Sequence, residues 1–163
     1  MNKAIFLDRD GVINVDRHEY TWEISDFTIL PGVFEACRKW LESGFLIIVV
    51  TNQGGIAKGL YTHADVNKLH DHMNTLFKKE GIHLTDIYYC PHHPEAGNCL
   101  CRKPGSLLVE KALASYDIDP AESFFIGDRD RDIVAGSGAG VKGVLVPVND
   151  NMMTMYRSSF QSL

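Results

Sequence analysis

Five short apolar runs, at residues 4–7, 45–50, 87–89, 123–126 and 144–146, recur along this chain, and stretches with helical spacing separate them. Most of the runs are continuously apolar rather than alternating. Strands of that kind are covered on both faces, as where helices flank a parallel sheet. The intervening stretches supply the helices. Val33, Phe34, Cys37 and Leu41 recur at helical spacing, with Gly44 as a stop. Thr62 and Asp65 form a capping pair for a second helix, whose apolar stripe is Val66, Leu69, Met73, Leu76 and Phe77 and whose stop is Gly81. A third is expected to open at Pro104, with Leu108, Ala112 and Leu113 inward. A fourth runs from about Arg131 into the glycine-rich residues 136–140. This alternation predicts a three-layer α/β domain, a Rossmann-like parallel sheet with right-handed crossovers. The segment after Val148 has weak patterning and reads as a cover over the sheet edge. No repeat, low-complexity tract or linker interrupts the pattern, so residues 1–163 read as one domain.

In such a sheet the carboxyl ends of the strands are where ligands bind. Asp8-Arg9-Asp10-Gly11 follows the first apolar run directly. If the strand geometry continues, Asp8 and Asp10 point to the same side. Like charges that close repel unless a cation lies between them or one is protonated. A carboxylate can also attack phosphorus and split hydrolysis into two steps, while a second acid handles the protons. Thr51-Asn52-Gln53-Gly54-Gly55 follows the second run, and its hydroxyl and backbone N–H groups suit phosphate oxygens. Asp128 follows the fourth run and is a hard-cation ligand of the type Mg²⁺ prefers. An acidic first turn of a helix explains Asp130 well and Asp128 poorly. Asp132, one helical turn on, suits a metal-bound water or Lys103. Arg102 and Lys103 precede the third helix, one able to grip oxygens in bidentate fashion and the other a point charge. Polar groups at three neighbouring strand ends would converge on one site, and that convergence says more than any one motif.

Cys90, Cys99 and Cys101 crowd together with His92 and His93, whereas Cys37 stands apart. Three thiols and an imidazole match a closed, structural Cys₃His zinc site in type and number. His92 is favoured over His93 as the fourth ligand. Such an ion would tie the loop that carries Arg102 and Lys103 to its base, leaving the reaction to other residues. His18, His63, His70, His72 and His83 read as solvated or helix-surface residues, and Cys37 as core.

Composition narrows the function classes. The net charge of −5 argues against a nucleic-acid face while leaving room for a local basic pocket. The apolar stretch at the start ends at Asp8, too short for a signal-peptide core, and no run approaches the ~20 residues that span a bilayer. A cytoplasmic, monomeric protein with no membrane or nucleic-acid partner is expected.

In this order the motifs resemble the haloacid dehalogenase (HAD) superfamily of phosphotransferases: Asp8 and Asp10 its first motif, Thr51 the second, Lys103 the third, Asp128 and Asp132 the fourth. Phe6-Leu7-Asp8-Arg9-Asp10-Gly11-Val12-Ile13-Asn14, Cys90-Pro91-His92-His93-Pro94 and Cys101-Arg102-Lys103-Pro104 are closer still to the branch that holds the D,D-heptose 1,7-bisphosphate 7-phosphatases and the histidinol-phosphate phosphatases. The resemblance implies Asp8 as nucleophile and Asp10 as acid/base. It implies Mg²⁺ on Asp8, the carbonyl of Asp10 and Asp128, and Zn²⁺ on Cys90, His92, Cys99 and Cys101. Thr51, Asn52, Gln53 and Lys103 would serve the phosphoryl group, and Arg102, Arg129, Asp16 and Tyr20 the rest of a small phosphorylated sugar. The stretch from Thr51 to Gly59 and Tyr88-Tyr89 favour the heptose substrate. The six residues between His92 and Cys99 are nearer the histidinol-phosphate enzymes. A phosphatase of polynucleotide ends and a non-catalytic zinc-stabilised module are the remaining alternatives. The chain leaves no room for a large cap domain.

Overall fold

The computed structural model describes residues 1–160. Its elements follow the predicted alternation: β1 (Lys3–Leu7), α1 (Val33–Glu42), β2 (Phe45–Asn52), α2 (His63–Lys79), β3 (Asp86–Cys90), α3 (Leu107–Ser115), β4 (Phe124–Gly127), α4 (Asp130–Gly138), β5 (Lys142–Leu145) and α5 (Met152–Ser159). The five strands form one parallel sheet in the order β3-β2-β1-β4-β5.

Side chains alternate across β1 and so divide the core into two layers. Ile5 and Leu7 join α1, α2 and α5 through residues such as Trp40, Met73, Phe77 and Phe160. Ala4 and Phe6 join α3 on the opposite face, through Leu108, Val109 and Ala112. That is the three-layer arrangement. No cap domain is inserted among the described residues; the stretch between β1 and α1 holds only a short 3-10 turn at Ile24–Asp26.

The termini of the helices have plain causes. Thr62 and Asp65 make the reciprocal capping contacts at the start of α2. Gly44 and Gly81, at φ of +82° and +73°, take the left-handed turn after α1 and α2. Two expectations need correction. The helix expected at Pro104 begins only at Leu107, because Gly105 N–H donates to Arg102 C=O and closes a turn first. The segment after Val148 is no edge cover. It forms α5, whose Met152, Met153 and Met155 are buried, and Phe160 stacks edge-on against Trp40 and Phe124. Burying an aromatic or Met side chain contributes roughly 1.5–3 kcal/mol, enough to hold a short helix down.

The register of the sheet sets the site. Leu7 pairs with Val49 on one side and Ile126 on the other. Asp8 therefore emerges between the ends of β2 and β4, with Thr51 and Asp128 just beyond.

Candidate active site

Asp8, Asp128 and Asp132 offer carboxylate oxygens that all lie within 4.8 Å of one another. Lys103 enters this cluster from the loop before α3. Its Nζ is 2.7 Å from Asp8 Oδ1, 2.7 Å from Asp132 Oδ1 and 2.8 Å from the carbonyl of Val50, and the side chain is buried. Asp8 Oδ1 also accepts from the backbone N–H of Arg9 at 2.8 Å. Asn52 fixes the lysine from behind: its Nδ2 donates to Lys103 C=O and its Oδ1 accepts from Lys103 N–H.

One lysine cannot neutralise three buried carboxylates. Burial pushes the Asp8 carboxyl up to about 7, against the pull of Lys103 and with the push of Asp132. Burial and then Asp132 raise Asp128. Both Asp128 oxygens are buried without a hydrogen bond. Arg129 Nε approaches Oδ2 at 3.3 Å as an ion-pair contact, outside hydrogen-bond geometry. Oxygen donors with uncompensated charge fit a hard divalent cation, which restores the charge balance. Gly11, at φ +85°, leaves room for this: a Cβ there would meet Asp128 Oδ2 at 2.5 Å.

Asp10 is held differently. Arg9 donates to its carboxylate from Nε and Nη2, Asn14 from Nδ2 at 2.9 Å and Gln53 from Nε2 at 3.2 Å. Gln53 also donates to Thr51 Oγ1 at 2.9 Å and accepts from Tyr61 O–H at 2.8 Å. The side chains of Asn52 and Gln53 are thus engaged within the protein, on Lys103 and on Asp10 and Thr51. Thr51 lies at the end of β2, buried, level with the cluster.

Above these groups opens a cleft of about 420 Å³, whose lining includes Asp10, Asp16, Tyr20, Asn52, Arg102 and Arg129 and also His18 and Arg131. Asp16 pairs with Arg129 at 3.2 Å, and Arg102 donates to His92 C=O at 3.0 Å. Three guanidinium groups give this acidic protein a local basic rim. Arg131 was not expected there; its signal is that it lies two residues past Arg129 at the start of α4.

Cys90, His92, Cys99 and Cys101 meet beside β3. Cys101 Sγ is 3.2 Å from Cys90 Sγ and from His92 Nδ1, and Cys90 Sγ is 3.7 Å from Cys99 Sγ. A zinc tetrahedron with Zn–S bonds of ~2.3 Å has S···S edges of about 3.8 Å, so these four can close on one ion. His93 faces elsewhere: its Nδ1 accepts from Glu95 N–H and caps the turn at Pro94–Ala96.

The remaining histidines divide. His63 and His83 are exposed as expected. His70 is not a surface residue; it is 5 % exposed, and its Nε2 lies 3.1 Å from Arg9 Nη1. Arg9 itself is fully buried, and no role in the site was expected of it.

A family model described as HAD-hydrolase-like matches residues 100–157. A D-glycero-alpha-D-manno-heptose-1,7-bisphosphate 7-phosphatase from Campylobacter jejuni is 45% identical over 148 residues, 91% of this chain and 83% of that protein. A D-glycero-beta-D-manno-heptose-1,7-bisphosphate 7-phosphatase from Haemophilus ducreyi is 41% identical over 146 residues, 86% of this chain and 80% of that protein. The crystal structure of a D,D-heptose 1,7-bisphosphate phosphatase from B. bronchiseptica, complexed with magnesium and phosphate, matches with a TM-score of 0.84 at 32% identity, covering 98% of this chain and 89% of that one.

Proposed function

The chain belongs to the heptose-1,7-bisphosphate 7-phosphatase family of HAD-like hydrolases, and we propose that it hydrolyses the 7-phosphate of D-glycero-D-manno-heptose 1,7-bisphosphate through an aspartyl-phosphate. The observation that carries this reading is the meeting of Asp8, Lys103, Asp128 and Asp132 at the ends of β1 and β4.

The Asp8 carboxylate attacks phosphorus, and the bond to the sugar oxygen breaks. Asp10 gives the departing oxygen its proton. It then takes a proton from water, which attacks the aspartyl-phosphate and releases inorganic phosphate. Lys103 holds Asp8 in place and stabilises charge on the phosphoryl oxygens. Thr51 hydrogen-bonds the same group. Asp8, the Asp10 carbonyl and Asp128 would hold Mg²⁺, which supplies neutralising charge for the phosphoryl oxygens when bound. Arg102, Arg129, Asp16 and Tyr20 receive the rest of the sugar. Cys90, His92, Cys99 and Cys101 would hold Zn²⁺, which would brace the Arg102–Lys103 loop when bound. Residues 1–163 act as one domain, as a monomer in the cytoplasm.

The test is phosphate release from both heptose 1,7-bisphosphate anomers and from histidinol phosphate, with and without Mg²⁺. Mg²⁺-dependent release from a heptose bisphosphate is expected. The loop of six residues between His92 and Cys99 favours histidinol phosphate as the competing substrate; a hundredfold preference for it would overturn the heptose assignment.

A further inference from the structure

Arg9 is fully buried, and a buried guanidinium is costly unless its N–H groups are paired. Nε and Nη2 are spent on Asp10, and Nη2 also donates to Thr21 C=O at 2.6 Å. Nη1 reaches His70 Nε2 at 3.1 Å, its one hydrogen-bond partner among the described residues. A guanidinium has no lone pair to offer, so Nε2 accepts and the imidazole is neutral, with its proton on Nδ1. His70 comes from the core-facing side of α2, one turn from Val66 and in line with Met73 and Phe77. Its ring packs edge-on against Tyr89 of β3, with centroids 5.7 Å apart. Its place is therefore fixed by the helix and the sheet, independently of the cleft.

We propose that His70 is a positioning residue for the reaction: it fixes Arg9, and Arg9 fixes the carboxylate of Asp10. The two-point grip from Nε and Nη2 sets the carboxylate plane only if the guanidinium cannot rotate. The bond to His70 at the far corner blocks that rotation. With an apolar residue at position 70, Nη1 of the fully buried Arg9 would lose its acceptor, and the guanidinium would turn to find another. Asp10 would keep Asn14 and Gln53 but lose its aim. This inference rests on the role of Asp10 proposed above. It adds a residue 61 positions from Arg9 that does not line the cleft.

The experiment compares His70→Leu, His70→Gln and Asp10→Asn on two substrates: the sugar phosphate, whose alkoxide needs a proton to leave, and p-nitrophenyl phosphate, whose phenolate does not. A misplaced catalytic group costs up to ~10²-fold. For His70→Leu the sugar phosphate kcat/KM, which reports the steps up to departure of the leaving group, should fall roughly 10–100-fold, on the scale of losing a general acid's alignment. The aryl phosphate kcat/KM should change less than about threefold, since its leaving group draws little on the acid and the proton abstraction from water comes only after it has left. His70→Gln, which keeps an acceptor at similar reach, should restore most of the loss. Equal losses of kcat/KM on both substrates, no loss in His70→Leu, or no rescue in a folded His70→Gln would overturn the inference. Asp10→Asn separates the two layers of argument. If it spares kcat/KM for the aryl phosphate and His70→Leu does not affect the sugar phosphate, this inference alone falls. If Asp10→Asn lowers kcat/KM equally on both substrates, the acid role falls and takes the inference with it. A readout independent of turnover is the imidazole ¹⁵N spectrum of the metal-free protein at neutral pH. His70 should appear as the Nδ1–H tautomer, and an Nε2–H tautomer would exclude the link to Arg9.

Discussion

Lys103 Nζ lies 2.7 Å from Asp8 Oδ1 across 95 residues of sequence. The pair spans the loop before α3 and the end of β1, and it is dry. A buried ion pair gains little over apolar packing, but breaking one by removing a partner leaves an uncompensated charge and costs roughly 3–5 kcal/mol. Lys103→Met is therefore expected to lower stability by about that amount in urea unfolding. It should also cut kcat by at least ~10², the usual loss for removing a preorganised charge partner of the transition state. A variant that is folded, as stable as the parent and active would remove Lys103 from the mechanism.

Gly11→Ala tests the approach of the β1 loop to Asp128. The backbone at φ +85° strains any residue with a Cβ, and that atom would stand 2.5 Å from Asp128 Oδ2. The strain is worth about 1–2 kcal/mol. The displaced carboxylate should weaken Mg²⁺ binding, seen as about a tenfold higher Mg²⁺ concentration for half-maximal activity, roughly the effect of losing 1.4 kcal/mol. Unchanged Mg²⁺ dependence would mean that Asp128 does not need the space.

Much of this site was legible because its residues sit where an apolar run stops. Asp8 and Asp128 could be placed from the strand ends alone, and Thr51 with them, since a parallel sheet brings neighbouring strand ends together. Arg9 and His70 were not legible. Each is polar at a position that pattern reasoning gives to solvent, and each finds a buried hydrogen-bond partner in the other, on another element. A pairing of that kind leaves no periodic trace. α5 was missed for a related reason: its two turns are too short to show periodicity, and its placement is decided by Trp40 and Phe124. The start of α3 was misplaced because Pro104 suits both a first helical turn and the tight turn that occupies this place.

His70 gives a pH dependence with a defined sign. Burial first and Arg9 second lower its pKa from 6.5 to about 3, with Asp10 pulling the other way. Between those values the unfolded chain binds a proton that the folded protein does not, so stability rises with pH. The contribution is fully present above about pH 6.5 and is lost as pH falls toward about 3. The slope is about 1.4 kcal/mol per pH unit. From pH 6 to pH 4.5 the parent should lose about 2 kcal/mol more than His70→Gln, which keeps the acceptor and does not titrate. Urea unfolding at both pH values measures the difference, and parallel losses in the two proteins would mean that His70 is protonated in the fold.

The thiol–imidazole cluster makes the last prediction, because it links stability to the cleft. Arg102 lines the cleft and donates to the carbonyl of His92, and His92 stands among the four zinc-type ligands. Structural zinc contributes folding free energy directly, since the unfolded chain has no preformed site. Cys99→Ser should lower the zinc content below one per chain and lower the melting temperature. It should also raise KM for the sugar phosphate several-fold as Arg102 loses its brace, with kcat changed much less, because Asp8 and Lys103 are anchored by the sheet and by Asn52. Chelation of the parent protein should reproduce the same pattern. Normal melting and kinetics in Cys99→Ser would mean that the cluster binds no ion and that the loop stands without it.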